Sequence, residues 1–255
     1  MKILVISDVH ANIWAVQAIL EQEKTYDLLL FAGDIVDYGI APTQAIEWLC
    51  SVPNLCAVVG NHDALAVKVY ETQDYQNVSP SLFKWIHYDL QKMSADHIAY
   101  LKRLPQYNLV QADDWVYLIT HSFNGTYLVP ESRYQFTEFW QEHTPKEFWD
   151  APNKRIVFGH THRQCIHSLG NGMEWLNPGS ASYRRPDDPD KTAHYATIEN
   201  GDITLKQTNY NRTPQEKEAL RLWHEHGMME TEVQDFLFFF GNAPTSRSPL
   251  PDREG

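Results

Sequence analysis

Short apolar runs alternate with helical patterns over the first sixty residues of the chain. The runs at 3–6, 28–31 and 55–59 are mainly aliphatic, which is typical of strands buried on both faces. Between them, apolar positions at helical spacing predict a helix that begins at Asn12, and Pro42 predicts the first turn of a second helix. Strands and helices in this order predict a parallel sheet with helices on its faces.

The rest of the chain predicts a mixture of strands and helices. Residues 64–104 have helical spacing, and residues 122–150 are rich in aromatic and acidic positions with weak periodicity, which indicates a cap-like insertion. Short links with Asn-Gly favour antiparallel pairing of the later strands. The apolar runs that predict further strands lie at 115–120, 155–158, 173–176, 194–199 and 203–208.

The pattern divides the chain into a main domain over residues 1–212, with 122–150 as its insertion, and a helical extension over 213–242. Residues 243–255 are rich in proline, serine and arginine, which predicts a disordered tail. The aromatic run at 236–240 predicts a helix docked on the core, or alternatively a contact between copies of the chain. The oligomeric state stays open at this point.

Composition limits the kinds of binding partner and indicates the cellular compartment. A length of 255 residues allows one large domain or two small ones. The net charge of −12 disfavours long nucleic acid, although some of the acids could instead be metal ligands. No apolar run approaches 18 residues and no secretory pattern is visible, so we expect no membrane contact. Three cysteines without a CxxC pair predict reduced thiols in a cytoplasmic protein.

Metal-binding residue types follow five of the predicted strands. Ligand sites collect beyond the carboxyl ends of strands in α/β sheets, so we expect these side chains to meet. Oxygen ligands mixed with imidazoles suit divalent manganese, iron, zinc, nickel or cobalt, whereas an all-oxygen set would indicate magnesium or calcium. Two such ions about 4 Å apart can activate water beside a phosphoryl group. The candidate ligands are Asp8, His10, Asp34, Asn61, His121, His160 and His162.

Each cluster alone is weak evidence, because an aspartate after a strand is usually a turn or a cap. The order Asp-x-His, Gly-Asp, Gly-Asn-His-Asp, His and Gly-His-x-His resembles that of the calcineurin-like metallophosphoesterase superfamily, over roughly residues 1–210. The turn that follows the last ligand pair, at 177–180, resembles the small YfcE-like phosphodiesterase branch. The resemblance implies an α/β (α+β) fold: a β-sandwich of mixed sheets flanked by helices, with a dinuclear metal site at the strand ends.

The same resemblance implies a role for each candidate residue. His62 would face the leaving-group oxygen and donate a proton, and Asp37 would hold its ring. Two divalent metal ions are expected, with manganese favoured and iron, zinc, nickel or cobalt as the alternatives. One ion would be held by Asp8, His10, Asp34 and His162, and the other by Asp34, Asn61, His121 and His160.

Comparison with the motifs of the resembled superfamily also indicates which residues could bind substrate. Protein phosphatases of the superfamily show Gly-Asp-x-x-Asp-Arg-Gly, and this chain has Tyr38 in place of that arginine. Asn12 stands where small members place a phosphate-contacting residue, and a helix N-cap is the equal alternative. Arg185, after Arg184, could meet a second phosphate, or belong to a solvated loop.

These features together favour a metal-dependent phosphoesterase acting on a small phosphodiester or nucleotide phosphoanhydride. The alternatives are a phosphomonoesterase, or a non-catalytic metal-binding scaffold of the same fold, as in a retromer subunit of this branch. A scaffold has no need of His62 beside a complete ligand set, which favours the enzyme. Aromatic residues of 122–150 could line a nucleobase, although ordinary packing is the simpler expectation.

Overall fold

Two five-stranded sheets pack face to face, with helices over the outer face of each. A computed structural model of the chain describes residues 1–182, 191–226 and 228–241. The strands are β1 Lys2–Ile6, β2 Leu28–Phe31, β3 Leu55–Ala57, β4 Tyr107–Ala112, β5 Trp115–Thr120, β6 Lys154–Val157, β7 Gln164–Gly170, β8 Met173–Pro178, β9 Ala193–Glu199 and β10 Asp202–Thr208. The helices are α1 Ile13–Gln22, α2 Pro42–Ser51, α3 Asn61–Thr72, α4 Trp85–Lys92, α5 Ala95–Arg103, α6 Arg133–His143, α7 Thr213–His226 and α8 Glu230–Phe240.

The first sheet has the order β10-β9-β1-β2-β3, and its β1, β2 and β3 are parallel as the opening pattern predicts. Side chains alternate along β1. Ile3 and Val5 face the second sheet, while Leu4 and Ile6 face the helices. All four are fully buried, which explains why this strand has no polar alternation.

The second sheet has the order β4-β5-β6-β8-β7, with β5, β6 and β8 parallel and the two edge strands antiparallel to their neighbours. The prediction missed β4 and β7, because both are only half buried or exposed and lack a strong apolar run. The antiparallel expectation is correct for β9 with β10. It is wrong for β8 with β9, which lie in different sheets.

Most of the predicted insertion at 122–150 is part of the sandwich rather than a roof over the strand ends. Helix α6 buries Phe136, Phe139 and Trp140 against the outer face of the second sheet. Ordinary packing therefore accounts for these three aromatic side chains. Only the turn that precedes α6 approaches the ligand edge, where the exposed ring of Tyr127 stacks on His160 with centroids 4.3 Å apart.

The last two helices, α7 and α8, form a pair that packs on α4. Phe236 lies against Trp85 with ring centroids 4.9 Å apart, and the Trp85 indole N–H donates to the Glu232 carbonyl. The aromatic run is thus a helix docked on the core, while association between copies stays a prediction. Within the described ranges, no helix has the length and apolarity needed to cross a membrane.

Replacing Phe236 by alanine should lower the free energy of unfolding by about 3–5 kcal/mol, because a fully buried ring is lost from a packed cluster. Urea unfolding followed by tryptophan fluorescence measures this. Phe238→Ala is the matched control, because that side chain is only partly buried on the same helix. An equal loss in the two variants would contradict the packing described for α8.

Candidate metal centre and its acid–base pair

The seven candidate ligands converge at one edge of the sandwich. Three loops come from the first sheet, after β1, β2 and β3, and two come from the second sheet, after β5 and β6. Parallel strands place their carboxyl ends at the same edge, and the packing of the two sheets brings the five loops together. The side chains fall into two groups. Asp34 lies near a histidine of each, and Asp8 of the first group also has a ligand atom within 4.8 Å of those of Asp34 and His121.

The first group is formed by Asp8, His10 and His162, whose ligand atoms all lie within 4.8 Å of one another. Asp8 Oδ1 is 3.2 Å from His162 Nε2, and the two Nε2 atoms of His10 and His162 are 3.4 Å apart. The buried ring nitrogens thus face a common point, which a divalent cation satisfies better than protein groups can.

The second group is formed by His121, Asn61 and His160. Asn61 Oδ1 lies 2.8 Å from His121 Nε2 and 2.9 Å from His160 Nδ1. Asp34 Oδ2 lies 3.1 Å from the same His121 nitrogen and 4.0 Å from His10 Nε2. A single carboxylate oxygen therefore stands between the two groups, where a ligand shared by two ions would stand.

Hydrogen bonds to backbone carbonyls fix the orientation of two candidate ligand rings, those of His10 and His121. The Nδ1–H of His121 donates to the Ala32 carbonyl at 2.7 Å, and the Nδ1–H of His10 donates to the Val36 carbonyl at 3.3 Å. In both cases Nε2 faces the centre, and once the ring is neutral the proton on Nδ1 leaves the Nε2 lone pair free, which is the tautomer a metal ligand requires. Burial lowers the pKa of His10 to about 3, so this ring is neutral.

Five of the candidate ligands have left-handed backbone conformations. This conformation costs of order 1–3 kcal/mol for a residue other than glycine, and such strain concentrates at functional sites. The surrounding structure must over-determine these loops for the strain to persist. The residues are Asp8 at φ 54°, His10 at 47°, Asp34 at 60°, His160 at 63° and His162 at 59°.

Asp63 joins two of the ligand loops through its carboxylate. It is fully buried and accepts backbone N–H groups of Gly60 and Asp34 at Oδ2, and of Ile35 and Val36 at Oδ1, all within 3.2 Å. A Cβ at Gly60 would collide with the Asp34 side chain, so the approach of the two loops requires glycine. Neither role of these residues was predicted from the sequence.

His62 and Asp37, the acid–base pair predicted from the sequence, lie within hydrogen-bond distance of each other. His62 Nδ1 is 2.8 Å from Asp37 Oδ2, and the ring lies 4.7 Å from Tyr38 and 5.1 Å from His10, centroid to centroid. Burial lowers the pKa of His62, but the hydrogen bond to Asp37 and the charge of Asp34 outweigh it, so the net pKa is raised. The two side chains thus favour the charged form of the ring relative to a free histidine.

Asp89 contacts the backbone of Asp37 and so helps to position the His62–Asp37 pair. Its Oδ2 accepts the backbone N–H of Asp37 at 2.8 Å, and the residue is fully buried on α4. Burial and the charge of Asp37 raise the pKa of Asp89 well above its ordinary value. Asp37 itself has a positive φ of 72°, so the bond from its N–H helps hold a strained turn.

Of the two residues predicted to contact substrate, the structure describes Asn12 and does not describe Arg185. Asn12 is the N-cap of α1: its Oδ1 accepts the Ala15 N–H at 3.2 Å, and its amide donates to the Tyr210 hydroxyl at 3.0 Å. The side chain is fully buried, so the geometry supports the capping role and gives no support to phosphate contact. Arg185 lies outside the described residues, as do Arg184 and the predicted tail 243–255.

The donor set fits divalent metal ions. Burial raises the pKa of Asp34, but His121 opposes it so strongly that the pKa lies below its ordinary value. Burial alone would lower the pKa of His121, yet Asp34, Asp8 and the Ala32 carbonyl together raise it to about 10. Carboxylate and imidazolium thus hold each other in place, and a cation could replace the imidazolium proton.

Comparison with known proteins agrees with the geometry. Residues 1–201 match the model of the calcineurin-like phosphoesterase superfamily domain, and the chain therefore belongs to that family. An uncharacterized protein of Methanocaldococcus jannaschii is 28% identical over 224 residues, covering 80% of this chain and 85% of the relative. Serine/threonine-protein phosphatase 2 of Escherichia coli is 29% identical over 198 residues, covering 72% and 89%.

Among solved structures, a metallophosphoesterase from Sphaerobacter thermophilus has a similar fold, with a TM-score of 0.64 and 24% identity. The superposition covers 92% of this chain and 98% of that one. The mixed two-sheet architecture flanked by helices is thus confirmed as the fold of the family.

Replacing Asp63 by asparagine should lower the free energy of unfolding of chelator-treated protein by at least about 2 kcal/mol. The amide removes one acceptor oxygen. This leaves either the Gly60 and Asp34 N–H groups or the Ile35 and Val36 N–H groups without an acceptor, at about 1–3 kcal/mol for each donor. Asp89→Asn is the matched control, because asparagine can still accept the single Asp37 N–H. Equal unfolding midpoints for wild type and Asp63→Asn would refute the bridging role.

Manganese binding at pH 7 should release at least one proton per chain. With a pKa of about 10, His121 is protonated in the metal-free protein at this pH, and it must be neutral to act as a ligand. Affinity should consequently rise with pH up to about that value. Isothermal titration calorimetry in buffers of different ionisation enthalpy counts the protons, and manganese uptake without proton release would count against His121 as a ligand.

Proposed function

We propose that this chain is a dinuclear metal-dependent phosphoesterase that hydrolyses a small phosphodiester or a nucleotide phosphoanhydride. The observation that carries the proposal is the His62–Asp37 pair at 2.8 Å, set beside a complete ligand set at one edge of the sandwich. A binding scaffold has no use for a charged imidazole held in this way. The manganese preference and a cytoplasmic location stay predictions from the sequence.

The ligand groups would hold the two ions in the arrangement that the distances suggest. Asp8, His10 and His162 would hold one and Asn61, His121 and His160 the other, with Asp34 shared. When bound, two divalent ions supply an activated water and an electrophilic phosphoryl group. The buried carboxylates offset the charge of such ions inside the protein.

His62 would supply the proton for the leaving group. Asp37 occupies its Nδ1, so Nε2 is the nitrogen that can face an oxygen of the substrate. The raised pKa favours the protonated form of the ring, and the hydrogen bond to Asp37 would keep the ring in one orientation. Asp89 and the turn at Asp37 position the pair without touching the substrate.

Substrate choice depends on the walls of the centre. Tyr38 presents a ring to both His10 and His62 where protein phosphatases of the family carry arginine, so this position offers no cation to a phosphate. The net charge of −12 disfavours extended polyanions such as long nucleic acid. Both features favour a small substrate held mainly by the metal centre.

Phosphoprotein hydrolysis is the second candidate. The observation that favours it is the similarity to serine/threonine-protein phosphatase 2 of Escherichia coli over 72% of this chain. Tyr38 is the observation against it. A phosphomonoesterase activity would use the same centre and the same proton donor, so only a comparison of substrates separates these activities.

The variant His62→Ala should lower kcat by about 10²–10⁴-fold with bound manganese unchanged, which is the range for a lost general acid. Asp37→Asn should lower kcat by a smaller factor, because the ring stays but loses its charged partner. Stopped assays and elemental analysis on the same samples measure both quantities. Loss of metal from His62→Ala would make His62 a ligand instead, and a silent Asp37→Asn would remove the pair from the mechanism.

A substrate panel with manganese-loaded protein tests the proposed specificity. We expect bis(p-nitrophenyl) phosphate or a dinucleoside polyphosphate to exceed a phosphopeptide and single-stranded DNA in kcat/KM, because the net charge of −12 disfavours extended polyanions and Tyr38 offers no cation. The reverse order by more than about tenfold, equal to about 1.4 kcal/mol of transition-state preference, would establish the phosphatase or nuclease alternative instead. Tyr38→Arg should raise the relative activity toward the phosphopeptide.

A further inference from the structure

A cleft of about 210 Å³ opens beside the second ligand group and is separate from the His62 side of the centre. Its position is informative because Asn61 and His121 form part of its wall, so anything in the cleft would touch the proposed metal centre. The other lining residues that matter here are Ala64, Gln106, Tyr107 and Ser122.

The walls of the cleft are anchored to the fold. Tyr107 on β4 stacks on His143 of α6, with ring centroids 3.9 Å apart. The outer rim is the turn at 123–126, closed by a Thr126 N–H to Phe123 carbonyl bond at 3.0 Å. The Phe123 ring packs 4.9 Å from Phe139, so the turn is fixed against α6. The cleft is therefore a formed space between two anchored elements.

The lining chemistry selects an uncharged ring. Among the described residues, the wall includes neither lysine nor arginine, so it is unsuited to a second phosphate. Gln106, Ser122 and Tyr107 are among its lining residues, and each carries a polar group that can form hydrogen bonds. A cavity of about 150 Å³ holds benzene, so 210 Å³ accommodates one heterocyclic ring with its hydrogen-bonding groups.

The cleft and the proton donor lie on different sides of the first turn of α3. Asn61 and Ala64 are three residues apart and share one helix face, and both line the cleft. His62 follows Asn61 and points about 100° away around the helix, toward Tyr38 and Asp37. A leaving group at His62 is therefore not the group that would occupy the cleft.

We propose that the cleft binds the retained substituent of a phosphodiester, and that this substituent is a nucleoside. The inference rests on the proposed function and names its substrate class. In the reaction, the oxygen of water bonds to phosphorus and the bond from phosphorus to the leaving oxygen breaks. The leaving oxygen takes a proton from His62, the water proton passes to solvent, and the ester bond to the nucleoside stays intact. The products are a nucleoside monophosphate and an alcohol.

Two esters with one leaving group test the proposal. Thymidine 5′-(p-nitrophenyl phosphate) and methyl p-nitrophenyl phosphate differ only in the retained substituent, and p-nitrophenolate release measures both. Manganese-loaded wild type should prefer the thymidine ester by at least about tenfold in kcat/KM. Ala64→Trp fills the cleft from an exposed position and should reduce the preference to within about threefold.

Leu65→Trp is the matched control. Leu65 is 40% exposed on the same turn and does not line the cleft, so the preference should persist at its wild-type value.

Gln106→Ala should reduce the preference by a smaller factor than Ala64→Trp, because it removes one hydrogen-bonding group and leaves the space open. Equal kcat/KM for the two esters in wild type would overturn the proposal, as would an Ala64→Trp variant that loses both activities alike.

Binding of thymidine 5′-monophosphate by equilibrium dialysis gives a readout that does not depend on turnover. Wild type should bind this product at least about fivefold more tightly than Ala64→Trp, and Leu65→Trp should match wild type. If neither ester is hydrolysed but the binding difference persists, the proposed function fails and the nucleoside site stands. If both esters are hydrolysed and the binding difference is absent, the nucleoside site fails and the proposed function stands.

Discussion

The carboxylate of Asp63 is the contact on which the geometry of the ligand edge depends. It accepts four backbone N–H groups, one from Gly60 after β3 and three from the loop after β2. Through these bonds it sets where Asp34 stands relative to Asn61, two candidate oxygen ligands that follow neighbouring strands. A buried carboxylate that receives several N–H bonds is a strong constraint, because losing it would leave several donors unpaired in a region closed to water.

The strained ligand loops show why such a constraint is needed. Left-handed conformations at Asp8, His10 and Asp34 each cost free energy that the isolated loops could not supply. The sandwich compensates by burying the strands that lead into them and by fixing the loops with hydrogen bonds, such as the Ser180 hydroxyl to the Asp8 carbonyl at 2.9 Å. These contacts hold the loops in the conformation that brings the candidate ligands together.

The sequence predicts what depends on local pattern and motif. Strands buried on both faces, such as β1 and β2, stand out as apolar runs, and the seven ligand candidates stand out by residue type and order. The edge strands β4 and β7 escape prediction because they are half exposed, with polar positions that match no simple period. Asp63 and Asp89 escape it because their roles are hydrogen bonds to distant backbone, which no local pattern reveals. Asn12 shows the same limit: only the structure distinguishes a cap from a ligand contact.

The proposed arrangement places one carboxylate, Asp34, between two metal positions. Anomalous diffraction at the manganese edge from crystals of the full chain grown with Mn²⁺ tests it most directly. We expect two peaks, one beside His10 and His162 and one beside His121 and His160, with Asp34 Oδ2 between them. A single peak at saturating manganese, or two peaks of which one lies away from Asp34, would rule out a shared carboxylate.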